Sequence, residues 1–234
     1  MLVLLNVPNP IYPQPGEDSE HPHIRTFHAR HGRMSARREQ SLRQLLPKFE
    51  IGNLNRPIDL SKVFNRDFVV VDFGSGMGTH SLNLAQSNST VGVLAIDVHT
   101  VGLITVVDAA TDREISNIRT HHGDGIDVFK DWLLSESVDE VHVLFPDPWP
   151  KERHHKRRLI TPLFLELSFR ILKPSGRLVF VTDDESYFVS ASVAIMDFAK
   201  FDVDFDDWEV PLTTYHQRAL RLGHKVSQLS ARKI

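Results

Sequence analysis

From residue 67 to residue 199 the chain alternates, without a break, between short apolar runs and longer mixed segments. "DFVVVDF" (67–73), "VGVLAID" (91–97), "ISNIRTHH" (115–122), "VDEVHVLF" (138–145) and "GRLVFVTD" (176–183) read as strands. "GTHSLNLAQ" (78–86), "TVGLITVVDAAT" (100–111), "GIDVFKDWLL" (125–134), "RLITPLFLELSFRIL" (158–172) and residues 185–199 read as the helices that separate them. Strands with no polar face, joined by helices, belong to a mostly parallel sheet covered on both sides. The predicted fold class is therefore α/β. "FDVDFDDWEV" and "HKVSQLSA" read as a closing pair that adds an antiparallel strand. Nothing marks an internal boundary or a repeat, so residues 25–234 are expected to form one domain, with 67–234 as its α/β core.

Ahead of that core, residues 1–24 hold five prolines and little apolar periodicity, and are expected to be a flexible arm. "SARREQSLRQLLPKF" (35–49) predicts a helix with Ser35 as N-cap, Glu39 close behind and an end near Pro47. It closes a basic stretch over 25–50. Net charge is only −3, yet residues 25–43 carry six arginines against one glutamate, while Asp183 to Glu209 holds nine acids and one lysine. Such segregation on a near-neutral chain points to a local polyanion site. With no cysteine, disulfides, thiol catalysis and cysteine-based zinc sites are excluded. "MLVLLNV" lacks the charged start and cleavage site of a signal peptide, and no apolar run is long enough to span a bilayer. A cytoplasmic protein without a membrane partner is expected.

The turn after the first strand, "VVVDFGSGMGTH", places Gly74, Gly76 and Gly78 where a backbone must approach a ligand closely. A dinucleotide fingerprint wants its third glycine at Thr79. Asp72, Asp97, Asp124 and Asp147 are expected at or just past the ends of four successive strands, where parallel sheets bind ligands. Asp97 can take both hydroxyls of a ribose, Asp124 lies near where an adenine would sit, and Asp72 can meet a cationic group. Four acids suit an adenosine that carries positive charge, S-adenosylmethionine more than NAD. Asp124 also has the position of a simple helix N-cap.

A second signal follows. "LFPDPWPKERHHKRRL" (144–159) sets Asp147 between two prolines, then Trp149, and then Lys151, Arg153, His154, His155, Lys156, Arg157 and Arg158. Its density of cations fits phosphates of a nucleic acid, and Trp149 offers a flat face for stacking. Neighbouring histidines point in different directions, so no metal is assigned.

"FPDPWPKERHHKRR", with "DFGSGMG", "IDVHTVG", "TDDESY", "LTTYHQRALRLGH" and the early "IRTFHARHGRMS", resembles the bacterial tRNA (guanine-N7-)-methyltransferases over roughly residues 24 to 230. The resemblance implies a Rossmann-like class I methyltransferase fold, tRNA as partner, a monomer or homodimer needing no other protein, and no metal. It implies methyl transfer from S-adenosylmethionine to N7 of a guanine in the tRNA variable loop, with S-adenosylhomocysteine as product. By the same resemblance Asp72, Gly74, Gly76, Asp97, Asp124 and Asp147 contact the cofactor, and Asp147 is catalytic. Lys151, Asp183, Thr213 and His216 meet the substrate nucleotide. Arg153, His154, Lys156, Arg157 and Arg158 hold the RNA backbone. The chain departs from the family pattern at Asp72 and Asp97, where glutamates are usual, and at Asp184, Thr214, His216 and Ala219. Two alternatives stay open: a class I methyltransferase with another acceptor, and an RNA-binding protein that kept the fold without catalysis.

Overall fold

The computed structural model describes residues 24, 26, 27, 34–205 and 208–234. The Pro-rich arm, all but its last residue, and most of the basic arm before Met34 lie outside the described residues.

The expected strands form at β1 (Phe68–Phe73), β2 (Val91–Asp97), β3 (Ile118–His122), β4 (Val138–Leu144), β5 (Leu172–Thr182), β6 (Phe201–Asp204) and β7 (Ser227–Lys233). They make one sheet in the order β3-β2-β1-β4-β5-β7-β6. β1 to β5 are parallel, and β7 runs antiparallel to both β5 and β6. The order reverses between β1 and β4, which opens a crevice at the carboxyl ends of those strands.

Alternate residues of each strand feed opposite cores, as the apolar runs require. Val69 and Val71 of β1, Leu94 and Ile96 of β2, and Val141 and Val143 of β4 pack in one cluster. Helices α7 (Pro162–Ile171) and α8 (Glu185–Asp197) cover it through Phe164, Leu165 and Ile195. Val70, Val91 and Val93 face the other way, onto Leu82 of α4 (Thr79–Ser87) and Val106 of α5 (Thr100–Asp112). Each such side chain, fully buried, is worth about 1.5–3 kcal/mol over its exposed state. Outside α5, helices α1 (Ala36–Gln44) and α2 (Leu46–Phe49) set Leu42, Leu45 and Leu46 against Leu103 and Val107. The remaining helices are α3 (Leu60–Phe64), α6 (Gly125–Asp127) and α9 (Thr214–Leu222).

Three elements depart from expectation. Pro162 is not internal to its helix but stands at its start, behind Thr161, whose hydroxyl accepts from the Phe164 amide at 3.3 Å. Proline suits that position because its missing N–H would have had no helical partner anyway. Pro47 likewise lies near the start of α2, and the first helix ends earlier, at Gln44. The helix expected over 125–134 is a short turn, α6, followed by a wider π turn over Val128–Trp132. The Leu133 amide bonds the Val128 carbonyl, and that i to i+5 spacing lets Val128, Phe129 and Leu133 all be buried.

Candidate active site

β1 delivers the chain into a turn in which Gly74, Gly76 and Gly78 all have φ between 56° and 79°. Glycine enters that left-handed region without the steric penalty of other residues. The turn is also pressed against α5: a Cβ on Gly102 would stand 1.9 Å from the Gly76 carbonyl oxygen. Glycine at 102 is thus what lets the turn sit down on the helix.

Asp97, at the end of β2, clasps this arrangement from both sides. Its Oδ2 accepts from the Gly76 amide and its Oδ1 from the His99 amide, each at 2.6 Å. Burial pushes the Asp97 carboxyl up to about 6, against the lowering effect of those amides. Each oxygen keeps a second acceptor site for a ligand hydroxyl. Asp124 caps α6 through the Ile126 amide at 2.9 Å while also lining the cleft. It is both the N-cap and the cleft residue that the sequence suggests.

Asp147 completes the wall on the far side, from the loop after β4. That loop is tied down at Phe145, whose amide donates to the Val181 carbonyl at 2.8 Å. Phe145 and Trp149, which bracket Pro146-Asp147-Pro148, have φ of 53° and 48°. Bulky residues in that region cost of order 1–3 kcal/mol each, a cost that surrounding contacts must offset. The cleft among Asp97, Asp124 and Asp147 has a volume of about 160 Å³ and no lysine or arginine among the described residues that line it.

Asp72 lies elsewhere. It is 2 % exposed within β1, accepts from the Ser81 hydroxyl, and lines a rear chamber of about 20 Å³ behind the glycine turn. Gly74 and Tyr215 border both spaces. Thr213 lines the rear chamber and caps α9 by accepting from the His216 amide at 3.1 Å. The His216 ring stacks near Phe145 and bonds the Pro211 carbonyl, so it borders neither space. Asp183 is paired with His224 Nδ1 at 3.0 Å.

The matched family model, described as "Putative methyltransferase", covers residues 66–229. A curated tRNA (guanine-N(7)-)-methyltransferase of Nitrosospira multiformis is 37 % identical, over 93 % of this chain and 97 % of its own length. One of Streptomyces avermitilis is 34 % identical, over 90 % of this chain and 76 % of its own length. The chain belongs to the tRNA (guanine-N(7)-)-methyltransferase family. Among solved structures, a 16S rRNA (adenine(1408)-N(1))-methyltransferase from Catenulisporales acidiphilia superposes with a TM-score of 0.57 at 18 % identity. It matches 81 % of this chain and 96 % of its own, a likeness of fold.

For this methyltransferase the basic segment needs correction. Lys151, Arg153 and Lys156 are exposed, with residues Glu152–Arg157 forming a 3-10 turn. Arg158 is 5 % exposed, and its guanidinium donates to the Pro148 carbonyl, the Ser186 carbonyl and the hydroxyls of Ser186 and Ser190. It also lies 4.9 Å over the Tyr187 ring. The expectation that Arg158 meets RNA phosphate gives way to a structural role, because its donors are spent inside the protein. Trp149 is not an open platform either: it is 5 % exposed, donates to the Thr26 carbonyl at 3.1 Å and lies beneath Arg157. His154 meets it edge-on.

Sequence reasoning missed Tyr215, which abuts Gly76, and Phe27 and Phe73, which line the cleft. Tyr215 stands inside the C-terminal motif, two residues after Thr213, so the signal was present. Phe27 had none. Among the described residues no group of three or more metal-ligating side chains comes together, and no helix is long and apolar enough to cross a membrane.

Proposed function

We propose that this chain methylates N7 of a guanine in the variable loop of tRNA, in the cytoplasm, using S-adenosylmethionine and releasing S-adenosylhomocysteine. One observation carries the reading: a cleft walled by three carboxylates, with no lysine or arginine among the described residues that line it, ends at Asp147, four residues before an exposed basic turn. An acid-lined cleft fits a cationic nucleoside and disfavours a pyrophosphate. Asp97 would hold the ribose hydroxyls, Asp124 the adenine edge, and Gly74 and Gly76 the close backbone approach. S-adenosylmethionine supplies an electrophilic sulfonium methyl.

Guanine N7 already carries an in-plane lone pair, so no general base is required. The protein's task is alignment, together with tolerance of a purine that becomes cationic. Asp147 can accept from the N1–H and N2–H₂ edge, a contact that tightens as the ring gains charge. Lys151 and Asp183 would flank the nucleotide, with Arg153, His154, Lys156 and Arg157 along the phosphates. Incubating unmodified bulk tRNA with the protein and S-adenosylmethionine, then digesting it for nucleoside mass analysis, should yield 7-methylguanosine. A different methylated nucleoside would move the acceptor, and no methylated nucleoside would leave an RNA-binding protein.

A further inference from the structure

Between the sheet and α4 runs a buried polar chain that methyl transfer does not use. Asp72 and His142 are register partners on β1 and β4, and Glu140 is paired with Arg177 of β5. Arg177 donates to Glu140 Oε1 through Nε at 3.1 Å and Nη2 at 2.6 Å. Glu140 Oε2 is 2.7 Å from His142 Nε2, and His142 Nδ1 is 2.8 Å from His80 Nε2. Trp208 covers both rings, at centroid distances of 5.1 Å and 6.1 Å.

His80, 7 % exposed, forms a wall of the rear chamber beside Asp72, Ser75 and Thr213. Among the described residues its ring makes that single hydrogen bond, and the buried Ser75 Oγ makes none. A buried hydroxyl without a partner is rare, and a space of about 20 Å³ beside Ser75 and His80 suits one water or one amino group.

The donor count restricts how this chain is protonated. Burial pushes the Glu140 carboxyl up, but the hydrogen bond and charge of His142 and the charge of Arg177 outweigh it and hold it below its ordinary value. A carboxylate only accepts, so His142 Nε2 carries a proton. With His142 neutral, its Nδ1 must accept, His80 Nε2 donates, and His80 Nδ1 is left a bare acceptor. One proton added to His142 turns its Nδ1 into a donor. His80 Nε2 must then accept, and the His80 proton sits on Nδ1. Burial lowers the His80 imidazole to about 4, with Asp72 and Glu140 pulling it up and His142 pulling it down.

We propose that His80 is a further ligand-facing residue, binding a small hydrogen-bond donor in the rear chamber, and that His142, backed by Glu140 and Arg177, positions it by setting whether it accepts or donates. The proposal rests on the adjoining cleft taking S-adenosylmethionine. The donor is a ligand amino group or a water beside the ligand, and the bare-acceptor state, next to the Asp72 carboxylate, is the one that takes it.

Nitrogen-15 spectroscopy of histidine-labelled full-length protein, free of ligand, tests the device directly. His80 should carry its proton on Nε2 at high pH and on Nδ1 at low pH. One unchanging His80 tautomer between about pH 5 and about pH 9 overturns the proposal. Affinity for S-adenosylhomocysteine should fall roughly tenfold more on acidification in wild type than in His142→Phe. Asp97, with its own carboxyl near 6, supplies the pH dependence that both share. Equal profiles in the two proteins count against the proposal. If His142→Phe does not fold, Glu140→Gln serves, and should move the crossover to lower pH because the anion favouring the second proton is gone. 5′-Methylthioadenosine, which lacks the amino-acid part and with it the α-amino group, should lose the extra pH dependence if the donor is that amino group and keep it if the donor is water. Failure of S-adenosylhomocysteine to bind at any pH would remove the cofactor reading, while the tautomers of the free protein still decide the role of His80.

Discussion

The carboxylate wall of the cleft and the basic segment after it are neighbours in sequence, yet they are built on opposite principles. Asp97 and Asp124 are each held by backbone amides, and their geometry is set before any ligand arrives. Lys151, Arg153 and Lys156 are exposed, free to follow a flexible polyanion. The first arrangement suits recognition of one small molecule in one pose. The second suits long-range attraction of a charged surface, where rigid placement gains little. Asp147 stands at the junction and should share the properties of the wall.

The largest effect expected on either side of that divide comes from Asp147→Asn. The change keeps size but turns one acceptor oxygen into a donor facing the N–H edge of the guanine. In steady-state assays on tRNA, kcat/KM should fall roughly a hundredfold or more, about 3 kcal/mol of transition-state stabilisation. Cofactor affinity, from titration calorimetry, should change far less. A parallel loss of cofactor affinity, repaired by saturating cofactor, would assign Asp147 to the cofactor alone. Full activity would demote the Pro-Asp-Pro turn to scaffolding.

Asp97→Ala should come next. Removing a charge-assisted, two-pronged contact should weaken S-adenosylmethionine binding by about 1.5–3 kcal/mol, again by calorimetry. Unchanged affinity would take Asp97 out of the site. The elevated carboxyl gives a sign as well. Between its ordinary value of 3.8 and about 6 the folded state holds the Asp97 proton more tightly than the unfolded chain. This contribution to stability is therefore complete at low pH and is lost as pH rises through about 6. Binding should run the other way, because the charged form is the better acceptor. Wild-type affinity should fall on acidification through about 6, and the Ala variant should lose that part of the dependence.

How far each region was legible follows from the same contrast. The sheet could be read because valine and isoleucine runs buried on two faces leave few alternatives. The three cleft acids could be read because strand ends fix where they emerge. Asp72 could not be told from them: one residue of strand register turns a side chain from the cleft to the opposite face. Arg158 was indistinguishable from Arg153 for a different reason. Density of charge predicts a basic surface, but which cation folds inward depends on Ser186, Ser190 and the Pro148 carbonyl, which only the tertiary structure brings to it. The His80–His142 contact spans two elements 62 residues apart and left no local signal.

Arg158 therefore separates two kinds of cation within one run. Arg158→Ala strands buried acceptors and loosens the loop that carries Asp147. It should lower stability to denaturant by about 2–4 kcal/mol, with a fall in kcat. A loss of tRNA affinity at unchanged stability would return Arg158 to the RNA surface.

The smallest effect, and the one that sharpens the comparison most, belongs to the exposed cations. Arg153→Ala with Lys156→Ala removes two charges that face solvent, so folding and cofactor binding should be untouched. Their contribution is counterion release, and each phosphate that goes unneutralised should flatten the log–log salt dependence of tRNA binding by about 0.7–0.9. The pair should thus reduce the slope by roughly 1.5, with affinity weakened at low salt and nearly recovered, relative to wild type, at high salt. Filter binding across a salt series measures it. A wild-type slope would mean that these residues are a solvated face, and that the polyanion is gripped elsewhere. A slope change accompanied by weaker cofactor binding would mean that the wall and the basic turn are one coupled structure, and the division between them would fail.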